Sequence, residues 1–224
     1  MVLVVCDSSS LISLSESCNI SVLPFLKEEF GLNFVIPPAV QEEIISHPLK
    51  VKKFAFSAVR LRKLLDDKVL QVITSPTLMK ESKRILEESN SLFRVRNRPL
   101  QILQEGEAQC VALFSSISAN LLLVDEKTTR MLLEDAGKLA QTVTAENGKD
   151  CLVDESKYSF FSKLGKEVRV IRSTELLALA FEKGFFDGFK DNKSFAFHAA
   201  LYALRKSGCS ISTVELDEYE ELYS

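Results

Sequence analysis

Four carboxylates in this 224-residue chain are placed to do chemistry: Asp7, Glu43, Glu107 and Asp125. Val2-Leu3-Val4-Val5-Cys6 is an apolar, mostly β-branched run that stops at Asp7, and Ser8-Ser9-Ser10-Leu11-Ile12 behind it reads as a helix start. Leu121-Leu122-Leu123-Val124 repeats the pattern and stops at Asp125-Glu126. Continuous apolar strands of this kind belong to parallel sheets, whose carboxyl ends all face one way and are where ligands bind. Taken alone, Asp7 is either a reactive group or a helix cap. The recurrence at Asp125 favours a shared site.

Two glutamates reach the same end from helices. Pro37-Pro38 opens a helix expected to run to Ser46, since proline fits a first helical turn. At about 100° per residue, Val40 and Ile44 mark its buried face, Glu43 flanks that face, and Glu42 points nearly the opposite way. In the helix beginning at Gly106, Glu107 falls inside the arc of Cys110, Val111 and Phe114, while Glu105 falls outside it. A carboxylate on an apolar stripe needs a partner, either a basic side chain or a cation. Four carboxylates cannot gather unneutralised, because like charges drive their pKa values up. Hard oxygen donors without histidine or cysteine select Mg²⁺ or Mn²⁺.

Composition excludes several alternatives. With two histidines, a histidine-rich zinc site or a serine or cysteine triad is disfavoured, and eight glycines form neither a GxGxxG nor a Walker loop. The five scattered cysteines make no CxxC pair and fit buried small hydrophobes. A net charge of -3 argues against bulk-charge coating of nucleic acid but leaves room for a local basic patch. No window approaches the ~20 apolar residues of a membrane span, and the apolar start reaches Asp7 too soon for a signal peptide, so a cytoplasmic protein is expected.

The elements that must position the acids follow in order. Helices are expected over Ser9 to Glu16 and over Val22 to Phe30, the latter stopped by Gly31, then a strand over Asn33 to Ile36. Leu49 to Leu65 is a helical stretch with six basic residues and no acid, which fits a solvated face or phosphate contacts. A strand over Val69 to Ile73 and a helix over Pro76 to Glu88 lead to a loop holding the basic cluster Arg94, Arg96 and Arg98. Lys127 to Ala136 reads as a helix stopped at Gly137. Asn147-Gly148, between Thr142-Val143-Thr144-Ala145 and Asp150-Cys151-Leu152-Val153, predicts a β-hairpin, with a helix over Ser156 to Leu164 after it. Val168 to Ile171 is a last strand, and helices over Ser173 to Lys183 and Phe195 to Lys206 precede an acidic tail, 213–224.

The series Val5-Cys6-Asp7-Ser8-Ser9-Ser10-Leu11-Ile12, Ile36-Pro37-Pro38-Ala39-Val40-Gln41-Glu42-Glu43-Ile44, Gly106-Glu107-Ala108 and Leu122-Leu123-Val124-Asp125-Glu126-Lys127-Thr128-Thr129-Arg130 resembles the PIN-domain nucleases, most closely their VapC-like prokaryotic and archaeal branch. The resemblance covers residues 1–137 and resumes over 168–212, making one domain with an insertion at 138–167. It implies a flavodoxin-like three-layer α/β/α sandwich with a mostly parallel sheet. It also implies a metal-dependent endoribonuclease with Asp7, Glu43, Glu107 and Asp125 as the acidic set. In that scheme Asp7, Glu107 and Asp125 hold Mg²⁺ or Mn²⁺, and Glu43 orients the metal's waters or completes its shell. Ser9 donates a hydrogen bond behind the metal, and Glu126 shares the role of Asp125, as paired acids often stand at this motif. Lys127 and Arg130, with Arg94, Arg96 and Arg98, are candidate phosphate contacts. RNA, single-stranded or in a loop, an antitoxin protein and a second copy of the chain are the implied partners. The competing reading is a non-catalytic PIN-like module that binds RNA or a protein. A phosphoacceptor receiver or a haloacid-dehalogenase-type phosphatase would want a second acid beside or two residues after Asp7, where Ser8 and Ser9 stand.

Overall fold

The structure, a computed structural model, describes residues 2–148 and 151–224. Strand β1 (Val2–Cys6) sits at the centre of a five-stranded parallel sheet, and its last three residues are fully buried. Asp7 leaves the strand in an extended conformation and caps α1 (Ser8–Glu16); α2 (Val22–Phe30) follows and ends on Gly31, whose φ of 63° closes the helix in the left-handed region. Strand β2 (Leu32–Ile36) pairs with β1, and the helix after it is α3 (Pro38–Gln41), which widens into a π turn over Glu42–Ser46. Helix α4 (Lys52–Asp66) leads to β3 (Leu70–Val72), on the outer side of β2, and to α5 (Leu78–Ser89).

The chain then crosses over. β4 (Phe93–Val95) and β5 (Arg98–Pro99) form a hairpin, α6 (Glu105–Ser116) runs back, and β6 (Leu121–Leu123) pairs with the opposite side of β1. Helices α7 (Lys127–Glu134) and α8 (Ala136–Asn147), strand β7 (Cys151–Val153) and α9 (Glu155–Leu164) precede β8 (Val170–Ile171) at the other edge. Helices α10 (Ser173–Glu182), α11 (Lys193–Lys206) and α12 (Thr213–Leu222) complete the chain. The strand order β3-β2-β1-β6-β8 reverses direction between β1 and β6, which puts a crevice at their carboxyl ends. Helices α1, α2, α10 and α11 pack on one another, while α3, α5 and α6 form another group with α6 against β1 and β6. The result is the expected α/β/α sandwich. Among the described residues no helix is long and apolar enough to cross a membrane.

Several local expectations change. The hairpin around Asn147-Gly148 does not form across Thr142–Ala145, because Ala136, Leu139 and Val143 recur at helical spacing and are buried as one face of α8. Gly148, at φ 64°, ends that helix, and only Cys151–Val153 of the predicted hairpin is a strand; residues 149 and 150 lie outside the described residues. The arginine cluster is not a loop: Arg96 and Asn97 both take positive φ and turn β4 into β5, and β7 pairs with the far side of β4. The helix after Glu126 breaks at Asp135, whose side chain caps α8 by accepting from the Lys138 N–H. The acidic tail is folded as α12, anchored by buried Leu216 and by Tyr219 and Tyr223 against Phe197.

Candidate active site

Asp7 is the centre of the arrangement at the strand ends and is 1% exposed. Its Oδ2 accepts from the Ser9 N–H (3.0 Å) and from the Ser9 hydroxyl (2.6 Å), so it caps α1 and is held in one rotamer. The Ser9 Oγ in turn accepts from the Asp125 N–H at 3.2 Å, and the Asp7 N–H donates to the Leu123 carbonyl at 2.9 Å. One serine hydroxyl therefore fastens the ends of β1 and β6 together. The Asp7 Oδ1 lies 3.9 Å from a weak donor, the Cys110 thiol. Burial pushes Asp7 up to about 6, against the two Ser9 hydrogen bonds and with help from the Glu43 charge.

Glu43 lies half-buried in the π turn, and its neighbour Glu42 is exposed. The Glu43 carboxylate rests on the first turn of α6: a Cβ at Gly106 would stand 2.6 Å from its Oε1 and 2.9 Å from its Oε2. That position therefore suits glycine. The start of α3 is tied to α6 as well, because the Ala39 N–H donates to the buried Gln109 Oε1 at 3.0 Å.

Glu107 is half-buried, and its Oε2 accepts from the Gln104 N–H at 2.6 Å, closing the N-terminus of α6. Burial pushes Glu107 up to about 7, opposed by that hydrogen bond and reinforced by the charges of Asp7 and Glu126. Glu126 is half-buried, caps α7 through the Thr129 N–H (2.6 Å), and so stands beside Glu107 rather than behind β6.

Asp125 is placed differently. It is fully buried, its Oδ1 accepts from the Ser173 N–H at 2.8 Å, and its Oδ2 makes no hydrogen bond. Burial raises its pKa, and Ser173, Cys209 and Ser13 are the groups acting against that rise. The Asp125 carbonyl also accepts from the Ser210 N–H at 3.3 Å. Asp125 thus holds the start of α10 through its carboxylate, and the segment before α12 through its backbone carbonyl, onto the end of β6.

The structure brings Asp7, Glu43, Glu107 and Glu126 into electrostatic contact, with Ser9 and Cys110 supporting Asp7. Among the described residues, no lysine or arginine forms an ion pair with any of these acids. Their donor set is carboxylate oxygen alone, which suits a hard divalent cation in type. Asp7, Glu107 and Glu126 are also engaged as helix caps, and among the described residues no three His, Cys, Asp or Glu side chains stand together as a ready-made metal cluster. A cation there would have Glu107 and Glu126 share or release their caps.

The candidate phosphate contacts divide into two places. Lys127 is exposed on the first turn of α7, next to Glu126, and Arg130 is half-buried one turn on, its Nε without a hydrogen-bond partner. Arg94, Arg96 and Arg98 are exposed on the separate β5-β4-β7 sheet. Cys110, Gln109 and Ser173 escaped sequence reasoning. Cys110 carried a usable signal, since it lies three residues after Glu107 on the same helical face.

A family model described as a PIN domain matches residues 3–145, which takes in every acid described above. No curated protein and no solved structure matches the chain.

Proposed function

This chain belongs to the PIN-domain family, a nuclease-type fold, and on that premise we propose that it is a metal-dependent endoribonuclease hydrolysing phosphodiester bonds at the carboxyl ends of β1 and β6. The observation that carries the proposal is the buried Asp7, one oxygen fixed by Ser9 and the other beside a thiol, set among glutamates that form no ion pair with a lysine or arginine among the described residues. Asp7, Glu107 and Glu43 would hold Mg²⁺ or Mn²⁺, with Glu126 as the fourth carboxylate. A divalent ion bound there lowers the pKa of a water molecule and stabilises charge on the scissile phosphate.

The chain's own groups have distinct tasks. Ser9 fixes the Asp7 rotamer and the spacing of the two strand ends. The Gln104 N–H anchors one oxygen of Glu107. Asp125 is a positioning residue: through Ser173 it sets the register of α10 against β6, and its backbone N–H holds the Ser9 hydroxyl. Lys127 and Arg130, at the start of α7, orient phosphates beside Glu126.

A second reading, a non-catalytic module that binds RNA or a protein, draws on the lack of a closed metal cluster among the described residues. Incubating the purified chain with mixed single-stranded and structured RNAs, in Mn²⁺ or in EDTA, beside Asp7→Asn, separates the two. Nuclease action predicts Mn²⁺-dependent cleavage reduced at least about 10³-fold by the substitution. Cleavage that survives EDTA or Asp7→Asn rules out the mechanism, and RNA binding without cleavage in any metal supports the module.

A further inference from the structure

Helix α4 carries a surface that the acidic site does not use. At about 100° per residue, Lys52, Phe56, Val59 and Lys63 fall within about 60° of one another, opposite the buried Ser57, Ala58, Leu61 and Leu64. Phe56 is 72% exposed and Val59 53%, adjacent apolar side chains on one face of the helix. Lys53 and Arg62 flank the stripe, and no acid interrupts it before Asp66. Lys63 is paired with Asp67, an exposed neighbour one turn away, and exposed pairs of this kind are weak.

The Phe56 ring is also braced. The Arg60 guanidinium lies 5.0 Å from the ring centroid, and Arg60 is itself fastened to α1 through the Ser15 carbonyl and, at 3.2 Å, the Ser15 hydroxyl. An aromatic ring held from behind by an immobilised cation, with its outer side in solvent and lysines on either side, is a stacking platform in an electropositive strip. The N-terminal part of α4 packs against the π turn that bears Glu43, and Phe54 and Ile44 line one groove between them. The helix that carries the strip therefore adjoins the π turn through its opposite face.

We propose that the outward face of α4 docks single-stranded RNA, a base stacking on Phe56 while Lys52 and Lys63 meet the flanking phosphates. Charge decides the occupant: a strip with cations and no acid before Asp66 fits a polyanion, whose phosphate would displace the exposed Asp67 from Lys63, and an exposed aromatic fits the π-face every base offers. The inference rests on RNA being the substrate, and names where the strand lies outside the cleavage site.

The test is fluorescence anisotropy of an end-labelled 15-nucleotide oligouridylate in EDTA, which removes cleavage from the readout. Phe56→Ala is expected to weaken binding at least about tenfold, and Phe56→Trp to preserve it. Lys52→Gln combined with Lys63→Gln is expected to reduce the slope of log affinity against log salt by roughly 1.4, at about 0.7 for each phosphate contact. Equal affinity for wild type and Phe56→Ala overturns the proposal. So does no RNA binding at all, or a dimer in sedimentation that Phe56→Ala dissolves while RNA affinity stays unchanged. Binding with these dependences in a chain that cuts no RNA supports the docking face and overturns only the nuclease assignment. Cleavage with Phe56→Ala binding like wild type does the reverse.

Discussion

Burial raises Asp7 to about 6 and Glu107 to about 7 at the carboxyl ends of the strands, whereas in the C-terminal layer Glu215 falls to about 2. Desolvation acts on all three in the same direction. At Glu215 it is outweighed by the Ser212 N–H and hydroxyl and by Arg172, whose Nη1 sits 2.6 Å from Oε1. The same arginine binds Glu175 and lowers it too, tying α12 to the start of α10. The difference separates two uses of a buried acid. The Arg172 cluster carries its own neutralising charge and is architecture; the strand-end cluster has none within the described chain and is left to recruit one.

That contrast has measurable consequences, the largest at Asp7. A carboxyl raised from 3.8 to about 6 in the folded state gives stability that is full below about pH 4 and is lost as pH climbs through 6. In EDTA the protein should therefore lose on the order of 3 kcal/mol between pH 4 and pH 8 from this group, at about 1.4 kcal/mol per pKa unit. Urea denaturation of Asp7→Asn should recover most of that loss at pH 8; a parallel pH dependence in both proteins would break the contrast.

The opposite sign holds in the C-terminal layer. Glu215 contributes stability above its ordinary 4.5 and loses it as pH falls toward 2. Arg172→Gln should destabilise by about 2 kcal/mol at pH 7, less than the 3–5 of a fully buried pair because Glu175 and Glu215 are 39% and 35% exposed. The difference between Arg172→Gln and wild type should narrow as pH falls from 4.5 toward 2, because the glutamates protonate first in the variant and last beside Arg172 in the folded wild type. A constant difference across pH would mean that packing, not charge, holds α12.

Much of the sandwich and its acid-bearing ends was legible in the sequence, because both depend on short-range pattern. The abrupt stop of Val2–Cys6 at Asp7 located the central strand, and helical phase distinguished Glu43 from Glu42 even though the helix widens there into a π turn. What escaped depended on competition between signals. Asn147-Gly148 is a strong turn signal, but the helical face of Ala136, Leu139 and Val143 reaches the core first and turns the glycine into a helix stop. The density of acids in 213–224 hid the i, i+3, i+7 spacing of Leu216, Tyr219 and Tyr223 that docks α12. At the end of β6 the sequence reading takes Asp125 as the metal ligand with Glu126 sharing its role, and its local pattern carries no sign of the contact that Asp125 makes far along the chain. The partner that turns Asp125 inward, the Ser173 N–H, lies 48 residues away.

The central claim is that the strand-end carboxylates, and not the acids of the C-terminal layer, recruit a divalent cation. Mn²⁺ titration of the metal-free chain by electron paramagnetic resonance at pH 8, comparing wild type with Asp7→Asn and Glu215→Gln, tests it without reference to any substrate. The account predicts bound Mn²⁺ in wild type and Glu215→Gln, and binding weakened at least about tenfold in Asp7→Asn. Unchanged Mn²⁺ affinity in Asp7→Asn would contradict it.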